Sequence, residues 1–121
     1  MSDLVTIDIN SNGVADVRLN RPDKYNALSS EMFDAISEAG ESLIDNKTLR
    51  AVVLSGNGRG FCAGLDFSGF KNMAGESEPQ AVAGRRMSSS NIPGNPAQRP
   101  GMVWKEVPVP VIAAIHGVAY G

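Results

Sequence analysis

The chain has 121 residues and a mass of 12.8 kDa, which fits one domain with one core. Apolar residues at 42%, charged at 20% and aromatic at 6% match an ordinary globular protein and exclude disordered, collagen-like and fibrous chains. Eleven basic against thirteen acidic residues give a formal charge of -2, with no basic run longer than Arg85-Arg86, so the electrostatic footprint of a nucleic-acid partner is missing.

One cysteine, Cys62, excludes an internal disulfide, and together with the one histidine, His116, it cannot form a zinc site of three or four soft ligands. Carboxylate-only magnesium or calcium sites stay open, although no stretch has EF-hand spacing. The amino terminus carries Asp3 and Asp8 and has no basic start, which is not the pattern of a secretory signal. The longest apolar stretch, residues 109–115, is broken by Pro110 and falls short of the ~20 residues of a membrane helix. The expected setting is a reducing, cytoplasmic one with no membrane partner.

Val5, Ile7 and Ile9 alternate with polar residues, and the alternation resumes at Ala15, Val17 and Leu19 after Asn10-Ser11-Asn12-Gly13. That pattern predicts a hairpin. Pro22 then ends the strand and opens a loop. From Ser29 the period becomes helical through Met32, Phe33, Ile36, Ala39, Leu43 and Ile44. Ser29 is the expected N-cap, Leu28 and Phe33 are spaced as a hydrophobic staple, and Glu31 complements the helix dipole. Gly40 in the middle weakens such a helix by about 1 kcal/mol relative to alanine.

Residues 51–54 read as a strand buried on both faces. Gly56, Gly58, Gly60 and Gly64 then crowd one short segment, where no regular element is expected. Phe67, Phe70, Met73 and Ala74 allow one or two helical turns, residues 87–101 read as a long surface loop, and residues 98–107 allow a short helix carrying Val103 and Trp104. Residues 109–115 read as a second doubly buried strand, yet only His116-Gly117-Val118-Ala119-Tyr120-Gly121 follows it, leaving its cover missing. The order of elements makes the fold class α/β, a ββα unit followed by the start of another.

The glycine-rich segment is the place where backbone rather than side chains carries the chemistry. One reading is a dinucleotide-binding turn, since Gly58, Gly60 and Ala63 fit the G-x-G-x-x-A form, with Glu76 or Glu78 near the acidic position. Against it, Gly64, Asp66 and Gly69 fall where the required helix must propagate. The other reading is an anion-stabilising loop with the N–H groups of residues 63–66 facing a cleft.

Four motifs in order carry a family resemblance: Asn20-Arg21-Pro22-Asp23-Lys24-Tyr25-Asn26-Ala27-Leu28, Val52-Val53-Leu54-Ser55-Gly56, Gly58-Arg59-Gly60-Phe61-Cys62-Ala63-Gly64-Leu65-Asp66, and Pro108-Val109-Pro110-Val111-Ile112-Ala113-Ala114-Ile115-His116-Gly117. Together they resemble the crotonase (enoyl-CoA hydratase/isomerase) family, with residues 72–101 unspecific. The resemblance implies a spiral of ββα units, assembly into homo-oligomers (trimers or paired trimers), and acyl-CoA thioester substrates. It implies no cofactor beyond the coenzyme A of the substrate.

Proton removal or attack beside a thioester builds negative charge on the carbonyl oxygen, which two preorganised backbone N–H groups can hold. By resemblance the Leu65 N–H is one donor, Ala63, Gly64, Leu65, Asp66 and Phe67 lie along the bound CoA, and Lys24, Tyr25 and Ala27 form the other binding strip. The second donor and the acid/base carboxylates are expected beyond Gly121. On this reading residues 1–121 are the amino-terminal part of a single crotonase-like domain, truncated at the carboxyl end. Such a chain is inactive alone, since one lost donor costs about 2.7–4 kcal/mol of transition-state stabilisation.

Blander readings stand beside these. Leu65 can be a core leucine, Cys62 a buried inert thiol rather than a nucleophile paired with His116, and His116 a hydrogen-bonded residue at a strand end. Lys24, Arg59, Arg85 and Arg86 can be solvated rather than bound to phosphate. The alternative function is a chain that only binds, either a CoA ester or another subunit.

Overall fold

The computed structural model describes residues 3–66 and 98–120. Strand β1 (Val5–Ile9) and strand β2 (Val14–Leu19) form the expected antiparallel hairpin. Its turn is closed by the Asn10 side chain, whose Oδ1 accepts from the N–H of Asn12 at 2.9 Å and of Val14 at 3.0 Å. Gly13 takes φ +83 there, a left-handed conformation that glycine adopts without steric cost.

Pro22–Lys24 forms a single 3-10 turn where a loop was expected; proline at its start presets the backbone. Helix α1 (Ser30–Ile44) follows, and the Ser29 hydroxyl accepts from the Met32 N–H at 3.2 Å, as the N-cap reading requires. Its buried face comprises Met32, Ala35, Ile36, Ala39, Gly40 and Leu43. Strand β3 (Ala51–Gly56) pairs parallel with β2, and strand β4 (Val111–Ala113) pairs parallel with β3, giving the order β1-β2-β3-β4.

Register puts Val5, Leu19, Val17, Ala15, Val52 and Leu54 on one face, and this face packs with α1 into a single core. Helix α2 (Arg99–Glu106) carries the fully buried Val103. It lies so close to α1 that a Cβ on Gly40 would stand 2.5 Å from Val103 Cγ1. The glycine that weakens α1 in isolation is what lets the two helices meet. Arg99 is buried between them, ion-paired with Glu41 at 3.3 Å and with Glu106, the pairing a buried guanidinium requires.

Two expectations need correction. Only Val52 of β3 is fully buried; its neighbours are partly covered. The last strand is confined to Val111–Ala113, and Ile112 and Ile115 are 58% and 59% exposed. Among the described residues the strand has β3 on one side alone, and Pro108 and Pro110 cannot donate to a ladder before it. The readings made for Phe67, Phe70, Met73 and Ala74, for the glutamates at 76 and 78, and for most of the 87–101 loop fall outside the described residues. Within them, α2 already begins at Arg99. No helix among the described residues is long and apolar enough to cross a membrane.

Candidate active site

Because β2, β3 and β4 are parallel, the segments that follow them leave the sheet at one end: residues 20–28, 57–66 and 114–120. Carboxyl ends of parallel strands are where α/β sheets place their ligands. A polar depression lined by Asn10, Asn12, Lys47 and Arg50 opens at the opposite end, beside the hairpin turn, and includes none of the expected site residues.

The two expected binding strips lie side by side. Ala63 N–H donates to Tyr25 O at 2.9 Å, Leu28 N–H to Gly64 O at 2.7 Å and Asp66 N–H to Leu28 O at 3.0 Å. Leu28 and Leu65 thus form a parallel bridge. In such a bridge the residue lying between the two bonded neighbours turns its own N–H and C=O to the other side. The Leu65 N–H accordingly faces away from Leu28 and makes no hydrogen bond among the described residues, and Leu65 is 49% exposed. A core-leucine role is overturned by that exposure.

The expectation that all four N–H groups of residues 63–66 face a cleft is corrected by the same bonds. Those of Ala63 and Asp66 are consumed by the neighbouring strip. Gly64 is buried with φ +85, which turns the chain between them. Lys24 and Tyr25 are exposed and Ala27 is partly covered, so both strips present surface near Leu65. Phe67 lies outside the described residues.

Asp66 is held by an ion pair: Arg21 Nη1 donates to its Oδ2 at 2.7 Å and to Ala27 O at 3.1 Å. Residues 57–61 are gathered by Asn26, which is fully buried. Its Nδ2 donates to Asn57 O and Gly60 O at 3.0 Å and to Phe61 O at 3.1 Å, and its Oδ1 accepts from Arg21 N–H at 2.7 Å. Neither Asn26 nor Arg21 was singled out by sequence reasoning. Their only signal there is membership of the Asn20–Leu28 motif, because the partners that tie them to the other strip, Asn57, Gly60 and Phe61 for Asn26 and Asp66 for Arg21, lie more than thirty positions away.

The third segment closes the far side. Phe61 N–H donates to His116 O at 2.9 Å, Cys62 N–H to Val118 O at 3.1 Å and Tyr120 N–H to Cys62 O at 2.9 Å. His116 Nε2 lies 2.8 Å from Gly58 O; facing a carbonyl, that nitrogen carries the hydrogen. Cys62 is buried, and its Sγ sits 3.4 Å from Asn26 O. The thiol and the imidazole therefore serve separate backbone carbonyls, which supports the inert-cysteine reading. The dinucleotide reading fails as well: residues 57–66 form bends and single bridges, not the start of a helix.

Residues 9–121 match the family model described as enoyl-CoA hydratase/isomerase. The chain belongs to that family. Among curated members of the enoyl-CoA hydratase/isomerase family it is 35% identical over 109 residues to 1,2-epoxyphenylacetyl-CoA isomerase of Escherichia coli, covering 90% of this chain and 38% of that protein. It is 32% identical to the peroxisomal Delta(3,5)-Delta(2,4)-dienoyl-CoA isomerase of Arabidopsis thaliana, with 85% and 37% covered. The crystal structure of an enoyl-CoA hydratase from Mycobacterium smegmatis superposes with a TM-score of 0.76 at 33% identity, over 98% of this chain and 42% of that one. The chain thus spans about two-fifths of the length of these relatives, and its α/β architecture is part of a crotonase-like fold.

Proposed function

We propose that Lys24, Tyr25 and Ala27, with residues 63–67, bind an acyl-CoA thioester and that the Leu65 N–H is one donor of an oxyanion hole for an enzyme of the hydratase/isomerase type. The observation that carries this reading is the Leu28–Leu65 bridge: it fixes the backbone on both sides of Leu65 while leaving its N–H directed outward. A donor held in this way needs no reorganisation when charge develops on the thioester oxygen. In this reading Lys24, exposed at the end of its 3-10 turn, meets a phosphate or the adenine of the nucleotide portion. Coenzyme A arrives as part of the substrate, and no separate cofactor enters this reading.

The second donor and the acid/base groups belong, in this reading, to sequence outside residues 1–121, so the 121-residue chain binds thioester without turning it over. Binding without turnover also describes the alternative role, a subunit-interaction fragment. The apolar surface of Ile112, Ile115, Val118 and Tyr120 is what such a subunit contact would cover, and assembly into homo-oligomers enters this reading through the family resemblance alone. The test is a calorimetric titration with acetoacetyl-CoA and with free CoA, beside an enoyl-CoA hydration assay on the same sample. Tighter binding of the thioester with no hydration is expected; equal affinity for both ligands overturns the oxyanion role, and hydration at an ordinary enzymatic rate overturns the division of the site.

A further inference from the structure

Asn26 is polar, fully buried and held at φ 57, a conformation that asparagine tolerates better than most residues with a side chain. Its amide places two hydrogens among three carbonyls, those of Asn57, Gly60 and Phe61. All three lie on the turn that leads into the Leu65 segment, and Arg21 holds Asp66, the residue just after Leu65. The two residues are themselves joined, since the Asn26 Oδ1 accepts from the Arg21 backbone N–H.

We propose that Asn26 and Arg21 are positioning residues that set the direction of the Leu65 N–H, one gripping the chain before it and the other the chain after it. The inference rests on the oxyanion reading given above. Neither side chain needs to touch substrate: Asn26 is sealed from solvent, and the Arg21 guanidinium is occupied by Asp66 and Ala27. An aspartate at position 26 keeps the size and the acceptor for Arg21 but loses the donors, leaving three carbonyls without their partner. The turn then relaxes, and the outward N–H loses its fixed aim.

The test uses the 15N-labelled chain and acetoacetyl-CoA, with free CoA as control. In the unmodified chain the Leu65 amide proton is expected to move downfield with acetoacetyl-CoA and not with CoA. If it does not move, the oxyanion reading itself fails. If it does, Asn26→Asp is expected to abolish the shift and weaken acetoacetyl-CoA binding about three- to tenfold, the scale of one hydrogen bond to a neutral carbonyl, while CoA affinity changes less than about twofold. A folded Asn26→Asp chain that keeps the shift and the thioester preference overturns the inference. Should Asn26→Asp fail to fold, Arg21→Gln decides, because that pair sits at the rim with side chains 22% and 13% exposed. The same selective loss supports positioning by this loop, and an unchanged Leu65 shift overturns it.

Discussion

Leu28 and Leu65 face each other in a parallel bridge in which Leu28 takes both backbone bonds and Leu65 takes neither. On the proposed reading, the contribution of Leu65 to ligand binding is therefore that of its peptide nitrogen rather than its side chain. Leu65→Ala is expected to change the acetoacetyl-CoA Kd by no more than about threefold. Replacing the Leu65 amide by an ester through semisynthesis removes the N–H alone and is expected to cost about 0.5–1.5 kcal/mol, the range for a hydrogen bond to a neutral carbonyl. Calorimetry on the two variants checks this; a larger loss from Leu65→Ala than from the ester would refute the backbone assignment.

The contact of Gly40 with Val103 gives a prediction of unusual sign. Alanine in a helix interior normally gains about 1 kcal/mol over glycine, yet a Cβ at this position would lie 2.5 Å and 2.7 Å from the two methyls of Val103. Overpacking of that kind typically costs 1–3 kcal/mol. Gly40→Ala is expected to lower stability by about 1 kcal/mol in denaturant titration, and the pair Gly40→Ala with Val103→Ala to be more stable than the sum of the single changes implies.

The parts of this fold legible in the sequence are those decided by neighbours in the chain. The hairpin follows from alternation plus the Asn10–Gly13 turn, and α1 follows from Ser29 and its apolar stripe. Gly40 read as a defect because its partner lies on α2, and Asn26 and Arg21 read as ordinary loop residues because their partners are in residues 57–66. The last strand is shorter and more exposed than its apolar run suggests for a related reason: such a run reports what a segment buries in a complete sheet, and among the described residues only β3 lies beside it. Leu65 was reached by resemblance, since nothing in the composition of the loop shows which of its N–H groups stays unbonded.

The capping geometry of α1 makes a pH prediction. The Glu31 carboxyl is held below the ordinary glutamate range, first by its own backbone N–H and then by the Ser29 hydroxyl. A group whose folded pKa is depressed adds stability above its unfolded pKa and loses it as pH falls through the folded value. Stability of the chain is thus expected to decline as acid protonates Glu31 below the usual glutamate range. Ser29→Ala is expected to move the Glu31 titration, followed by carboxyl NMR, back toward the ordinary value and to cost about 1 kcal/mol for the lost cap.

Exposure of Ile112, Ile115 and Tyr120, at 58%, 59% and 66%, puts apolar surface on and just beyond a strand that is at the sheet edge among the described residues. Such edges pair with other chains, and charge on them is the usual protection. The isolated chain is expected to associate as its concentration rises, and Ile112→Lys with Ile115→Lys to restore a monomer without loss of folded structure, because neither residue belongs to the core formed with α1. Analytical ultracentrifugation across a concentration series decides it: a chain that stays monomeric before the substitutions shows that this surface needs no partner.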